Sequence, residues 1–266
     1  MKPTKHSLLL AAGLSMAILN PAQAADWSTT ELHYQYGRLV APEFAGGAEA
    51  ATHILTLQHA SGWGFGDVFF FVDSLHDQQR DGINDHDLYG ELYINFSLGK
   101  LLGKPVTLGA IKDVGVLAGF NGDMDAKVRK YLPGLRLSWD LPGFAFLNTD
   151  FMAYLDDSAG VADGGAPRES DSYLIDVNWA HPFNIGAQSF SIEGHVEYDG
   201  NRRNEFGSVV SYSVLAQPQF RWDAGKAFYG KPNQLFLGIE YQYWRNKLGD
   251  DRTTESRPQL LAVWRF

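Results

Sequence analysis

Asp67, Phe69, Phe71 and Asp73 occupy alternate positions of one short stretch, and Glu91 and Tyr93 repeat the pairing of acid and ring further on. An extended chain turns alternate side chains to the same side, so each set presents carboxylates and aromatic faces together. Carboxylates accept hydrogen bonds from hydroxyl and N–H groups, and ring faces stack on planar molecules. The chemistry is recognition of a small, flat, polar molecule. The same residues also have a plainer reading, since charges inside any protein pair and pack whatever its function.

Bond-making chemistry finds little support. Cysteine is absent, which excludes thiol nucleophiles, disulfides and cysteine-ligated metals. Glu193, His195 and Glu197 form an acid and base set, but they share one face of one strand-like segment and no motif places a serine beside them. No enzyme is expected. Asp77, Asp81, Asn84, Asp85 and Asp87 crowd one stretch with oxygens of the kind that hold Ca²⁺. Their spacing lacks the EF-hand order, so a solvated acidic loop is expected, with no metal site and no cofactor.

The elements that must position these residues are written in period two. Leu88, Gly90, Leu92, Ile94, Phe96 and Leu98 alternate with Tyr89, Glu91, Tyr93, Asn95 and Ser97, and segments around residues 173–179, 190–198, 210–222 and 235–243 do the same. Strands are expected near 28–39, 51–60, 63–74, 87–99, 106–120, 131–141, 145–156, 171–181, 187–199, 209–222, 234–246 and 256–266, with no competing helix. Sandwich strands run about 5 to 6 residues, whereas a tilted membrane-crossing strand needs about 9 to 11. Trp179, Tyr198, Trp222 and Tyr243 stand near the ends of apolar faces, as interfacial aromatics do in outer-membrane barrels. The expected fold is all-β, a twelve-stranded antiparallel transmembrane β-barrel of outer-membrane type, with the polar face of each strand turned to the lumen. The connections support the count, because compact ones such as Ser61-Gly62 and 141–144 alternate with longer polar ones such as 75–86 and 157–170.

Composition agrees with that reading. The 266 residues are 45% hydrophobic and 14% aromatic, yet mean hydropathy is −0.22, as it must be when apolar and polar residues alternate. Residues 1–24 read as a signal peptide, with Lys2 and Lys5 before an apolar run and Ala22-Gln23-Ala24 as the cleavage site, leaving 25–266 as one barrel domain. Loss of Lys2 and Lys5 takes the net charge from −9 to −11, which disfavours nucleic-acid binding. The last strand alternates Pro258, Leu260, Ala262, Trp264 and Phe266, an ending suited to outer-membrane assembly. The expected location is the outer membrane of a Gram-negative bacterium.

Two stretches carry a resemblance to a known family. His53-Ile-Leu-Thr-Leu-Gln-His-Ala-Ser-Gly-Trp63 followed by Gly66-Asp-Val-Phe-Phe-Phe-Val-Asp73 resembles the nucleoside-specific channel-forming proteins (Tsx), in particular their OmpK-type branch. Tyr89-Gly-Glu91, Ser97-Leu-Gly-Lys100, Ile111-Lys-Asp113 and Leu141-Pro-Gly-Phe144 continue the likeness in order. The resemblance implies a monomeric twelve-stranded barrel in contact with outer-membrane lipids. Such a barrel passes nucleosides and deoxynucleosides down their gradient, with external loops that serve phages as receptors. It also implies that Asp67, Phe69, Phe71 and Asp73, then Glu91 and Tyr93, line the substrate path. A surface receptor, or a general small-solute porin without nucleoside specificity, is the alternative expectation.

Overall fold

The computed structural model describes residues 24–266; the expected signal peptide lies almost wholly outside them. Twelve antiparallel strands form one sheet. They are β1 (Trp27–Val40), β2 (Glu49–Trp63), β3 (Gly66–His76), β4 (His86–Ser97), β5 (Ile111–Asp123), β6 (Val128–Trp139), β7 (Phe146–Asp156) and β8 (Ser172–Ile185). The rest are β9 (Gln188–Asp199), β10 in two pieces (Ser213–Ala216 and Gln219–Asp223), β11 (Leu235–Arg245) and β12 (Thr254–Arg265). Each pairs with the next, and β1 pairs with β12 from Glu31 opposite Arg265 to Gly37 opposite Gln259, which closes the barrel. Both pieces of β10 hold one register against β9 and β11. They are separated at Gln217-Pro218 because proline has no N–H to give the ladder.

Burial follows the period-two pattern inside out. In β1, Glu31, His33 and Gln35 are buried while Leu32, Tyr34 and Tyr36 are exposed; in β11, Glu240 and Gln242 are buried while Leu237, Ile239 and Tyr241 are exposed. Such a surface is costly in water and stable in lipid, where apolar side chains face acyl chains and every backbone polar group must find a partner inside the sheet. Aromatic rings gather near both rims of the outer wall. Phe183, Phe190 and Phe220 stack in series and Trp222 meets Phe228 near the end that carries both termini, and Tyr173, Tyr198 and Tyr212 stack near the other. This is the architecture of Gram-negative outer-membrane barrels. No helix among the described residues is long and apolar enough to cross a membrane.

Several expected boundaries move. β2 runs on to Trp63, so the turn falls at Gly64-Phe65 rather than Ser61-Gly62. There Gly66 must be glycine, since a Cβ would overlap the Asn95 carbonyl oxygen. β5 begins at Ile111, not near 106, and carries a register shift between Ile111 and Asp113. β8 extends to Ile185, which puts Trp179 within the strand rather than beside a turn. Val209–Val210 leave the barrel and pair with Arg202–Arg203 as a small loop ladder. Short helices, unexpected from the alternation, fill two connections at Leu98–Leu102 and Ala224–Tyr229. Ser97 and Asp223 cap them by accepting hydrogen bonds from the Lys100 and Lys226 N–H groups, which satisfies donors that a helix start leaves free.

The closing seam is held from within by Glu31. Its carboxylate accepts from Arg265 Nε at 2.7 Å, Arg221 Nη1 at 3.1 Å and His33 Nε2 at 2.8 Å. Glu31→Ala would leave buried Arg221 with Glu193 alone and His33 and Arg265 without their carboxylate, and is expected to lower unfolding free energy by about 3 kcal/mol. Urea denaturation in lipid vesicles, followed by tryptophan fluorescence, measures this, and a change below about 1 kcal/mol, as for an exposed pair, would contradict it.

Candidate functional site

The inner wall of β3 and β4 carries the residues singled out by the sequence. Cross-strand register sets Asp67 opposite Asn95, Phe69 opposite Tyr93, Phe71 opposite Glu91 and Asp73 opposite Tyr89. The rings form a run, with Phe69 and Phe71 centroids 6.2 Å apart and Phe71 and Tyr89 6.0 Å apart. Phe69, Phe71, Asp73, Glu91 and Tyr93 thus share one face and are partly accessible. Glu91 accepts from the Tyr89 hydroxyl at 2.5 Å and Asn121 Nδ2 at 2.9 Å, and Tyr93 donates to Asn121 Oδ1 at 3.1 Å. Asp73 differs from these, because its Oδ1 is buried with no hydrogen-bond partner among the described residues.

Asp67 is drawn into another set. Arg136 on β6 donates Nε and Nη2 to the two oxygens of Asp150 at 2.8 and 2.6 Å, and Nη1 to Asp67 Oδ1 at 3.0 Å. Asn95 donates to the other Asp67 oxygen at 2.8 Å. β3 and β6 are not sheet neighbours, so this arginine reaches across the lumen. Asp67 is thus an ion-pair partner of Arg136 on the same inner face as Phe69 and Phe71.

The opposite wall is an amide and carboxylate network. Glu240 accepts from Gln35, Gln219 and Gln259 at 2.6, 2.6 and 3.1 Å. His195 stands between Asp176 Oδ1 at 3.0 Å from Nδ1 and Gln217 Oε1 at 2.9 Å from Nε2. Glu197, on the same inner face of β9, lies within electrostatic reach of His195, Asp176 and Glu91. Towards the loop end, the Tyr154 ring lies between Lys130 and Arg202, each 4.9 Å from its centroid, and both cations bind Glu169. Lys247, fully buried, holds Glu255 and donates to the Val40 carbonyl at 2.8 Å.

One part of the lining was not expected. Leu117, Leu132, Met152 and Leu174 pack together on the inner faces of β5 to β8, with Tyr93 and Tyr154 against them. The alternation of β5 had no clearly polar face because both faces are apolar or small there. The parity of Leu174 with Asp176 and Asn178 was the available signal.

The acidic loop binds its own backbone. Asp77, Asp81 and Asp85 each accept from an N–H one or two residues on, from Gln79, Ile83 and His86, as short polar side chains do in turns. An apolar groove of about 760 Å³ lies on the lipid side of the wall, where Gly90 and Gly122 face each other across β4 and β5 between Val72, Leu92 and Phe120. Its lining also takes in Phe71, Tyr89 and Glu91 of the inner face.

A closed barrel with an apolar outer wall and a polar inner lining is the architecture of outer-membrane barrels. No family profile matches the sequence, and no curated protein matches it. Among solved structures, the chain is similar to the KdgM porin at 10% identity and TM-score 0.47 over 89% of this chain and 99% of that one. It is similar to the NanC porin at 13% and 0.49 over 87% and 97%, and to an outer membrane channel from Pseudomonas putida F1 at 10% and 0.44 over 93% and 100%.

The two carboxylates of Arg136 should respond differently to removal. The Asp150 side chain is 2% exposed and that of Asp67 35%. Asp150→Ala is expected to cost about 3 kcal/mol or more and Asp67→Ala under about 1 kcal/mol, read from unfolding midpoints of the two refolded variants.

Proposed function

We propose that the protein is an outer-membrane channel for passive diffusion of nucleosides and deoxynucleosides. The observation that supports this most directly is the inner face of β3 and β4. Asp73 Oδ1, buried without a donor, belongs to the residue directly opposite Tyr89 and next along the inner face from Phe71, and the Phe71 and Tyr89 rings are 6.0 Å apart. A buried acceptor without a partner is uncommon in folded proteins, and a sugar hydroxyl would satisfy it. The run of Phe69, Phe71 and Tyr89 offers stacking faces to a base. Surrounding carboxylates, Glu91 and Glu197 among them, disfavour phosphate, so an uncharged nucleoside suits the lining better than a nucleotide. The resemblance of residues 53–73 to the nucleoside-specific channel-forming family points the same way.

A receptor role for the external loops is compatible with this reading and separable from it. The loop over 41–48 is tied to the one over 246–253, with the Glu43 N–H donating to Thr253 Oγ1 at 2.9 Å. This gives phages or other ligands an ordered surface.

Liposome swelling with adenosine, adenosine monophosphate and a disaccharide tests the proposal. Adenosine should enter fastest, and equal entry by all three would refute nucleoside selectivity. Phe71→Ala and Asp73→Ala should each slow adenosine several-fold while leaving phage adsorption unchanged, whereas trimming the loop tips should do the reverse.

A further inference from the structure

The geometry points to a transition-metal site in the lumen wall, formed by Asp176, His195 and Glu197. One oxygen from each carboxylate and one ring nitrogen lie within 4.8 Å of one another. β8 and β9 bring them together, since Asp176 stands opposite Glu197 in register and His195 is one inward step along from Glu197. Among the described residues this is the set of three such donors that converges; the acidic loop at 77–87 does not.

Three features separate this set from an ordinary polar cluster. First, the outer contacts are those that orient metal ligands. His195 Nε2 is turned to Gln217 Oε1 at 2.9 Å, and Gln217 Nε2 is itself committed as a donor to Gln242 Oε1 at 3.0 Å. That arrangement makes Nε2 the N–H end of the ring and leaves Nδ1 for the ion, as in sites where a second carbonyl or carboxylate fixes the histidine tautomer. Second, Asp176 Oδ2 accepts from Asn178 Nδ2 at 2.7 Å, which holds the carboxylate with Oδ1 facing Nδ1. Third, no hydrogen-bond donor from the described residues reaches Glu197, while Glu91 and Asp176 add negative charge around it. A cation placed between these carboxylates would offset their mutual repulsion.

The donor set selects the ion. One imidazole and two carboxylates suit Zn²⁺ or a neighbouring divalent transition metal, whereas Ca²⁺ and Mg²⁺ prefer all-oxygen shells. On binding, Zn²⁺ replaces the Nδ1 proton shared with Asp176 Oδ1, and that proton leaves to solvent. Three protein ligands leave one tetrahedral position open, and it opens to the lumen, where a solute nitrogen or oxygen can occupy it.

The test is calorimetric titration of ZnCl₂ into folded, EDTA-washed full-length protein in detergent, with MgCl₂ in parallel. A control is needed because His53, His76 and His86 adjoin one another in register on the outer wall, the last two with ring centroids 4.6 Å apart. The expected result is one tight Zn²⁺ per chain that persists in His76→Ala/His86→Ala, with Mg²⁺ far weaker. His195→Ala and the shape-conserving Glu197→Gln should each weaken Zn²⁺ about 100-fold, and Gln217→Ala about 10-fold, as removal of an outer contact does. If His195→Ala does not fold, judged by heat-modifiable gel mobility, Glu197→Gln decides the matter. Absence of tight Zn²⁺ binding, equal Mg²⁺ affinity, or binding lost with His76 and His86 but kept in Glu197→Gln would overturn the inference.

Discussion

Closure of the sheet is the constraint on which everything else in this molecule rests. In hydrocarbon, an unpaired strand edge leaves a row of N–H and C=O groups with no water to satisfy them. β1 must therefore meet β12, and it does so over residues 31–37. Once the sheet is closed, each side chain has two destinations, lipid or lumen, and period two becomes compulsory along every strand. The inward Glu31, with Arg221, Arg265 and His33 around it, ties the seam chemically to the lining. The closure and the polar interior are one solution to one problem.

A lumen of this kind holds many ionisable groups at low dielectric, so their pairing decides which remain available. Arg136 is saturated by Asp150 and Asp67, Lys130 and Arg202 by Asp156, Glu169 and Asp199, and Lys247 by Glu255. These sets are frames that fix the barrel's cross-section. The groups left over are acidic: Asp73 with an orphan oxygen, and Glu197 without a donor. These leave free carboxylate oxygens on the inner wall, which accept hydrogen bonds and attract positive charge.

The strand count, the inward parity of Asp67, Phe69, Phe71, Asp73, Glu91 and Tyr93, and the lipid face of β12 were all readable from alternation, which is a local property. What alternation does not encode is how far the sheet shears before it closes. The reach of Arg136 from β6 to Asp67 on β3 depends on that global geometry. β5 was obscure for a different reason. Gly115, Leu117 and Gly119 face inward, so neither side of the strand is marked as wet. The break in β10 was visible in Pro218, whose missing N–H leaves the register intact and interrupts the ladder. The short helices escaped notice because Ser97 and Asp223 cap segments of 5 and 6 residues, too brief to show a helical period.

The cluster of Leu117, Leu132, Met152 and Leu174 makes the barrel interior two-sided around its circumference. Those four side chains are 0–4% exposed, while Glu240, Gln242 and Asp176, 3–8% exposed, are held by neighbouring side chains rather than by water. The barrel is thus filled by an apolar core on one side and a hydrogen-bonded frame on the other.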